Sequence, residues 1–233
     1  MKLVVNKEIF SRYKPLKIVA MILDGINNNA DINDFFNAEY TAIENDVKVK
    51  FEDVELSAHP VVGRWREIYK SFGEKEARSS IEALIKRVKN GKGLYKINPL
   101  VDLYNLASLK FELPAGGENI DAIGADLELT LAIGDEEFLP LGGGACENPN
   151  AGEIVYKFGK TVVCRNFNYR ESDITKLTFD TKRAIIVFED VLGDDENLNR
   201  TMEWLGDKAG RFLGARVAKT AILDESENEM VFS

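Results

Sequence analysis

Histidine and cysteine are scarce in this chain of 233 residues, and their scarcity removes much familiar chemistry. The single histidine, His59, leaves little room for a catalytic triad or a histidine metal cluster, since those need an imidazole beside a nucleophile or several around one ion. Standing before Pro60, with no carboxylate or nucleophile visibly paired to it, His59 reads as a hydrogen-bonded structural residue rather than a base. The two cysteines, Cys146 and Cys164, have no second cysteine or histidine at ligand spacing, so neither a zinc site nor any other metal or cofactor is expected. Apolar runs of about 18 residues are missing, and Met1-Lys2-Leu3-Val4-Val5-Asn6-Lys7-Glu8 lacks the pattern of a cleaved leader, which points to a cytoplasmic protein without a membrane partner. Chemistry is left to carboxylates, amides, hydroxyls and bound water.

What is present is ordinary for a globular fold: 45% hydrophobic and 30% charged residues. Repeats and low-complexity linkers are lacking, so residues 1–233 are expected to form a single domain. The formal charge of -9 argues against a nucleic-acid partner, DNA included, but the charge is unevenly spread. Residues 64–96 hold ten basic side chains against four acidic ones. Such a block is either a solvated helix surface or a docking face for a polyanion.

The patterning mixes helix and strand. Residues 16–23 form an apolar, branched run closed by Asp24-Gly25, a buried strand and turn, and a helix is expected over 31–47 after the polar loop Asn27-Asn28-Asn29. Trp65, Ile68, Tyr69 and Phe72 share one helical face, with Trp65 read as core. Ser79-Ser80-Ile81-Glu82 opens a helix as a capping box, with Ile81, Leu84, Ile85 and Val88 inward and Lys86, Arg87 and Lys89 outward. Asn98-Pro99 starts another, in which Asp102 and Asn105 lie three apart on one face. From residue 126 onward strands predominate, over 127–132, 153–156, 161–164 and 184–188, and Leu141-Gly142-Gly143-Gly144 is a turn rather than a phosphate loop. A helix over 195–213, a final strand starting at 215–218 and a solvated acidic end at 224–229 complete the pattern.

Several of these stretches together resemble free-standing relatives of the editing domain of the bacterial phenylalanyl-tRNA synthetase beta chain, the B-three/four region. They are Trp65-Arg66 with Tyr69 and Phe72-Gly73; Ser79-Ser80-Ile81-Glu82-Ala83-Leu84 with Arg87-Val88; Asn98-Pro99-Leu100-Val101-Asp102-Leu103-Tyr104-Asn105; Leu113-Pro114; Gly152-Glu153-Ile154-Val155-Tyr156; Cys164-Arg165-Asn166-Phe167-Asn168-Tyr169-Arg170-Glu171-Ser172-Asp173; and Thr181. The resemblance spans about residues 59–190 and implies an α+β fold with a β-sandwich-like sheet core flanked by helices. It also implies an editing activity, hydrolysis of a wrongly attached aminoacyl ester, which adds a second sieve where binding alone discriminates poorly. The synthetase uses the positions of Tyr104 and Asn105 in its pocket, and Gly116 stands where the synthetase has a pocket histidine.

The leading expectation is therefore a deacylase acting in trans on a mischarged aminoacyl-tRNA. Asn105 and Asp173 would position substrate or water, and Tyr104, Gly116, Arg165, Asn166, Asn168 and Arg170 would line the pocket. If the strand before them continues, alternation sends Arg165, Phe167 and Tyr169 to one side and Asn166, Asn168 and Arg170 to the other. Arg64, Arg66, Lys86, Arg87 and Lys89 would meet the tRNA. A tRNA-binding module without catalysis, and an enzyme or sensor for a free amino-acid derivative, remain as alternatives.

Overall fold

A computed structural model describes residues 1–232. Its elements run β1 (Lys2–Val5), α1 (Lys7–Arg12), β2 (Lys17–Asp24), α2 (Asn33–Phe51), α3 (Pro60–Ser71), α4 (Ser80–Lys89), α5 (Pro99–Phe111), β3 (Ala115–Asn119), β4 (Leu127–Leu131), β5 (Ile154–Phe158), β6 (Thr161–Arg165), β7 (Arg170–Glu171), β8 (Arg183–Asp190), α6 (Asp195–Leu213), β9 (Arg216–Leu223) and β10 (Glu229–Val231). The strands form a six-stranded sheet, in the order β10-β1-β4-β5-β6-β7, and a four-stranded one, β3-β8-β2-β9. Only the β1–β4 pair is parallel among these described strands.

The central strands β2 and β8 are buried along nearly their whole length, as a sheet covered on both faces requires. Helices α5 and α6 cover one face. Across the other, Ile185, Val187 and Glu189 of β8 meet Leu127, Tyr156 and Cys164 of the six-stranded sheet around a cavity. The architecture is α+β, two facing sheets flanked by helices. No helix among the described residues is long and apolar enough to cross a membrane.

Local chemistry explains most boundaries. Helix α2 runs past the expected end at 47 because Phe51, one turn beyond Val47, is also buried. Ser79 caps α4 by accepting from the Glu82 amide at 3.4 Å. The Glu82 carboxylate does not complete the capping box; it is buried against Arg66 and Arg78. In α5, Asn98 Oδ1 accepts from the Val101 amide at 3.1 Å and Asp102 accepts from the Ile97 amide at 2.8 Å, so Asp102 ties the helix start to its own entry loop. Trp65 is fully buried, and His59 caps α3 with Nε2 3.3 Å from Glu112 Oε2.

Two expectations need correction. Strand β6 stops at Arg165, because Asn166 and Phe167 take left-handed backbone angles (φ 52 and 60), so the alternation expected through Arg170 is broken and Phe167 and Asn168 are both buried. The strand expected to be last is followed by β10. The acidic segment between them is a tight turn in which Asp224 accepts from the Ser226 and Glu227 amides. Strands β1 and β3 had no expectation at all, and β3 (Ala-Gly-Gly-Glu-Asn) lacks strand-forming side chains; its partner β8 imposes the conformation.

Candidate active site

A small cavity of about 20 Å3 lies between the sheets. Register explains its walls. Gly116 pairs with Val187 and Glu118 with Ile185, so alternate residues of β3 and β8 point at the six-stranded sheet, which contributes Tyr156, Cys164 and Glu171. Glycine at 116 keeps this wall low: a Cβ there would lie 3.3 Å from Glu171 Oε1. At Gly117 a Cβ would point the other way, 3.2 Å from the Tyr104 ring and 2.7 Å from Ile186 Cδ1, so Tyr104 of α5 packs behind the strand.

Asn168 organises one side. Its Oδ1 accepts from Tyr69 Oη and from the Ser80 amide, both at 3.0 Å, and its Nδ2 donates to Glu189 Oε2. Tyr156 Oη donates to Glu189 Oε1 at 2.8 Å. The left-handed turn after β6 thus delivers Asn168 to a junction of α3, the start of α4 and β8.

Three carboxylates line the cavity, Glu118, Glu171 and Glu189, and no lysine, arginine or histidine does. Burial pushes Glu171 up to about 7. Burial likewise pushes Glu189 up to about 7, against the hydrogen bonds from Tyr156 and Asn168 that favour its charged form. Glu118 is raised well above the usual carboxylate range by burial and then by the negative charge of Glu171. Cys164 is also pushed up, by burial and the same carboxylates, so it is an unreactive thiol wall. Among the described residues no group of three or more histidine, cysteine or acidic side chains is arranged to hold a metal ion. The arrangement suits proton transfer near neutral pH and binding of a group that brings positive charge or hydrogen-bond donors.

The residues expected at the site are dispersed. Gly116 and Asn168 line the cavity, and Tyr104 lies behind β3. Asn105, one residue along α5, is half-buried and off the cavity wall, and its side chain makes no hydrogen bond among the described residues. Asp173 accepts from the Gly142 amide at 3.0 Å and pairs with Lys176 at 2.9 Å. Arg165 makes a two-pronged pair with buried Glu153 at 2.7 and 2.6 Å and reaches Glu147, which Arg170 also grips. Asn166 is buried in the turn, off the cavity. Of the basic candidates, Arg66 is held by Glu82, Arg64 by Glu67 and the Lys14 carbonyl, and Lys89 by the Val54 carbonyl; Lys86 and Arg87 have no carboxylate partner among the described residues. The three glutamates were missed by sequence reasoning. A usable signal existed for Glu189, which ends an apolar strand in the same two-residue rhythm as Ile185 and Val187.

Residues 64–201, more than half the chain and the whole cavity lining, match the B3/4 domain. The chain belongs to the B3/4 domain family. This B3/4 domain matches no curated protein. It is similar in structure to an N-terminal fragment of the phenylalanyl-tRNA synthetase beta subunit from Pyrococcus horikoshii, with 13% identity and a TM-score of 0.47 over 92% of this chain and 49% of that one. It therefore spans about half the length of that fragment.

Proposed function

We propose that this B3/4 domain hydrolyses the ester of a mischarged aminoacyl-tRNA. The observation that carries the reading is a cavity between the sheets lined by three carboxylates and, among the described residues, no cation, inside the family-matched span. An aminoacyl ester brings positive charge as its α-ammonium group, which favours the charged forms of Glu118 and Glu189 and is held by them. Glu171, with its carboxyl near 7, is suited to take a proton from water as the water oxygen attacks the ester carbonyl. Collapse of the adduct breaks the bond to the ribose oxygen, and the proton held by Glu171 returns to that leaving oxygen. Asn168 and Tyr156 fix Glu189 and thereby the geometry of the floor. In this reading Glu171 takes the role expected of Asp173, whose carboxylate is already engaged by Lys176 and Gly142.

The test is deacylation of a panel of deliberately mischarged tRNAs by the full chain. Cleavage of at least one is expected, with Glu171→Gln slowing it ~100-fold or more, in the range general-base removal produces, and with the wild-type rate rising through about pH 7. An unchanged rate in Glu171→Gln removes Glu171 as base, and tRNA binding without cleavage of any member leaves a non-catalytic tRNA module. Asn105→Ala belongs in the same experiment, because a large loss there moves the site onto α5.

A further inference from the structure

A surface groove along α4 carries positive charge that the fold leaves unneutralised. It is lined in part by Arg78, Glu82, Lys86, Arg87, Lys92 and Tyr95. The one carboxylate among these, Glu82, is already covered by Arg66 at 2.7 Å and Arg78 at 3.4 Å. Lys86 and Lys92 are exposed and, with Arg87, have no ion pair among the described residues. The Arg87 guanidinium lies 3.5 Å from the centroid of the Tyr95 ring, and its Nη2 donates to the Lys92 carbonyl at 3.2 Å. Arg87 Nε is buried without a partner. Tyr95 is nonetheless 65% exposed. One ring face is thus backed by a cation while the residue stays open to solvent, flanked by two free ammonium groups.

We propose that this groove seats a single-stranded segment of RNA, with a base stacked on Tyr95 and phosphates met by Lys86 and Lys92. An aromatic face beside unpaired cations is the combination that single-stranded nucleic acid uses, whereas an acidic peptide needs only the cations. Position supports the choice. The first residue of α4, Ser80, donates its amide to Asn168 on the cavity wall, and Arg87 lies seven residues further, about 10 Å along the helix. A strand lying along α4 toward its start approaches Asn168, which lines the cavity. The proposal rests on the deacylase reading only for the identity of that strand as the aminoacylated end of tRNA.

The experiment measures anisotropy of a short fluorescein-labelled single-stranded RNA with the full chain at several salt concentrations, alongside deacylation of mischarged tRNA. Tyr95→Ala is expected to weaken RNA binding about 5- to 150-fold, the range for losing one stacked base, while Tyr95→Phe binds like wild type. Lys86→Glu with Lys92→Glu is expected to weaken binding and to flatten the slope of log affinity on log salt by about 0.7 for each phosphate no longer neutralised. Melting curves confirm that these surface variants fold. Wild-type RNA affinity in both Tyr95→Ala and the double variant overturns the groove, and leaves the deacylase reading standing if mischarged tRNA is still cleaved. Binding of a poly-glutamate peptide in place of RNA also overturns it. Loss of RNA binding in the variants of a chain that cleaves no ester supports the groove and sinks the deacylase reading instead.

Discussion

Glu189→Gln should make the protein more stable at alkaline pH and change little at acid pH. In the fold the Glu189 carboxyl is buried and raised to about 7, against about 4.3 for a free glutamate. A raised carboxyl means that the folded state binds more protons than the unfolded one between these values, so wild-type stability falls as pH rises through that window. At about 1.36 kcal/mol per pKa unit, the penalty at pH 8 is about 3.6 kcal/mol, of which about 1 kcal/mol remains at pH 5. Glutamine keeps the shape and never charges; its carbonyl can accept from Asn168 and its amide can donate to the Tyr156 hydroxyl. Urea unfolding of both proteins at pH 5 and pH 8 isolates the contribution, because groups common to both cancel in the difference. The expected change in that difference between the two pH values is about 2.5 kcal/mol, favouring the variant at pH 8. Parallel pH dependences for wild type and variant would refute the claim that Glu189 is held neutral by burial.

Two further substitutions probe the surroundings. Arg165→Met leaves Glu153 buried without its two-pronged partner and should cost about 3–5 kcal/mol in urea unfolding, most of it recovered when Glu153→Met is added; a loss below about 1 kcal/mol counts against the network as a structural clamp. Gly117→Ala places a methyl 2.7 Å from Ile186 Cδ1 and 3.0 Å from Leu177 Cδ1 and should cost about 1–3 kcal/mol. Gly116→Ala meets only the movable end of Glu171 and a methyl of Val187, so it should fold normally and slow deacylation, and an equal loss of stability in both variants contradicts the opposite facing of the two glycines.

Helices α3, α4 and α5 were legible because their start signals are local: Ser79, Asn98-Pro99 and the apolar spacing of α3 each act within a turn, whereas the six-residue α1 had no expectation. The long central strands were legible too, since residues 18–23 are apolar without interruption. Strand β3 was not, because two glycines carry no pattern and its conformation comes from β8, nearly seventy residues on. The site failed to show for the same reason. Glu118 and Glu171 look like ordinary surface carboxylates in sequence, Glu189 is marked only by its place in an apolar strand, and the facing of two sheets makes the three neighbours. Arg165 and Asp173 were attractive candidates because they are charged and near a strand end, yet their charges are used internally. The backbone at Asn166 and Phe167 decided which amide entered the cavity; asparagine tolerates a left-handed angle, but phenylalanine does not favour one, so the two-residue turn was not legible.

The uncompensated carboxylates between the sheets also turn the protein into a detector of its own ligands. Each carboxyl that ionises there as pH rises works against the docking of the two sheets, so an occupant carrying an ammonium group relieves that cost and tightens the fold on arrival. Stabilisation then grows with ligand concentration as RT ln(1 + [L]/Kd), about 2.7 kcal/mol at a hundredfold excess over Kd. The gain should be largest above pH 7, where the relieved charge is greatest. Thermal melting at alkaline pH against a library of small aminoacyl esters and amines would rank candidate substrates before any turnover is observed.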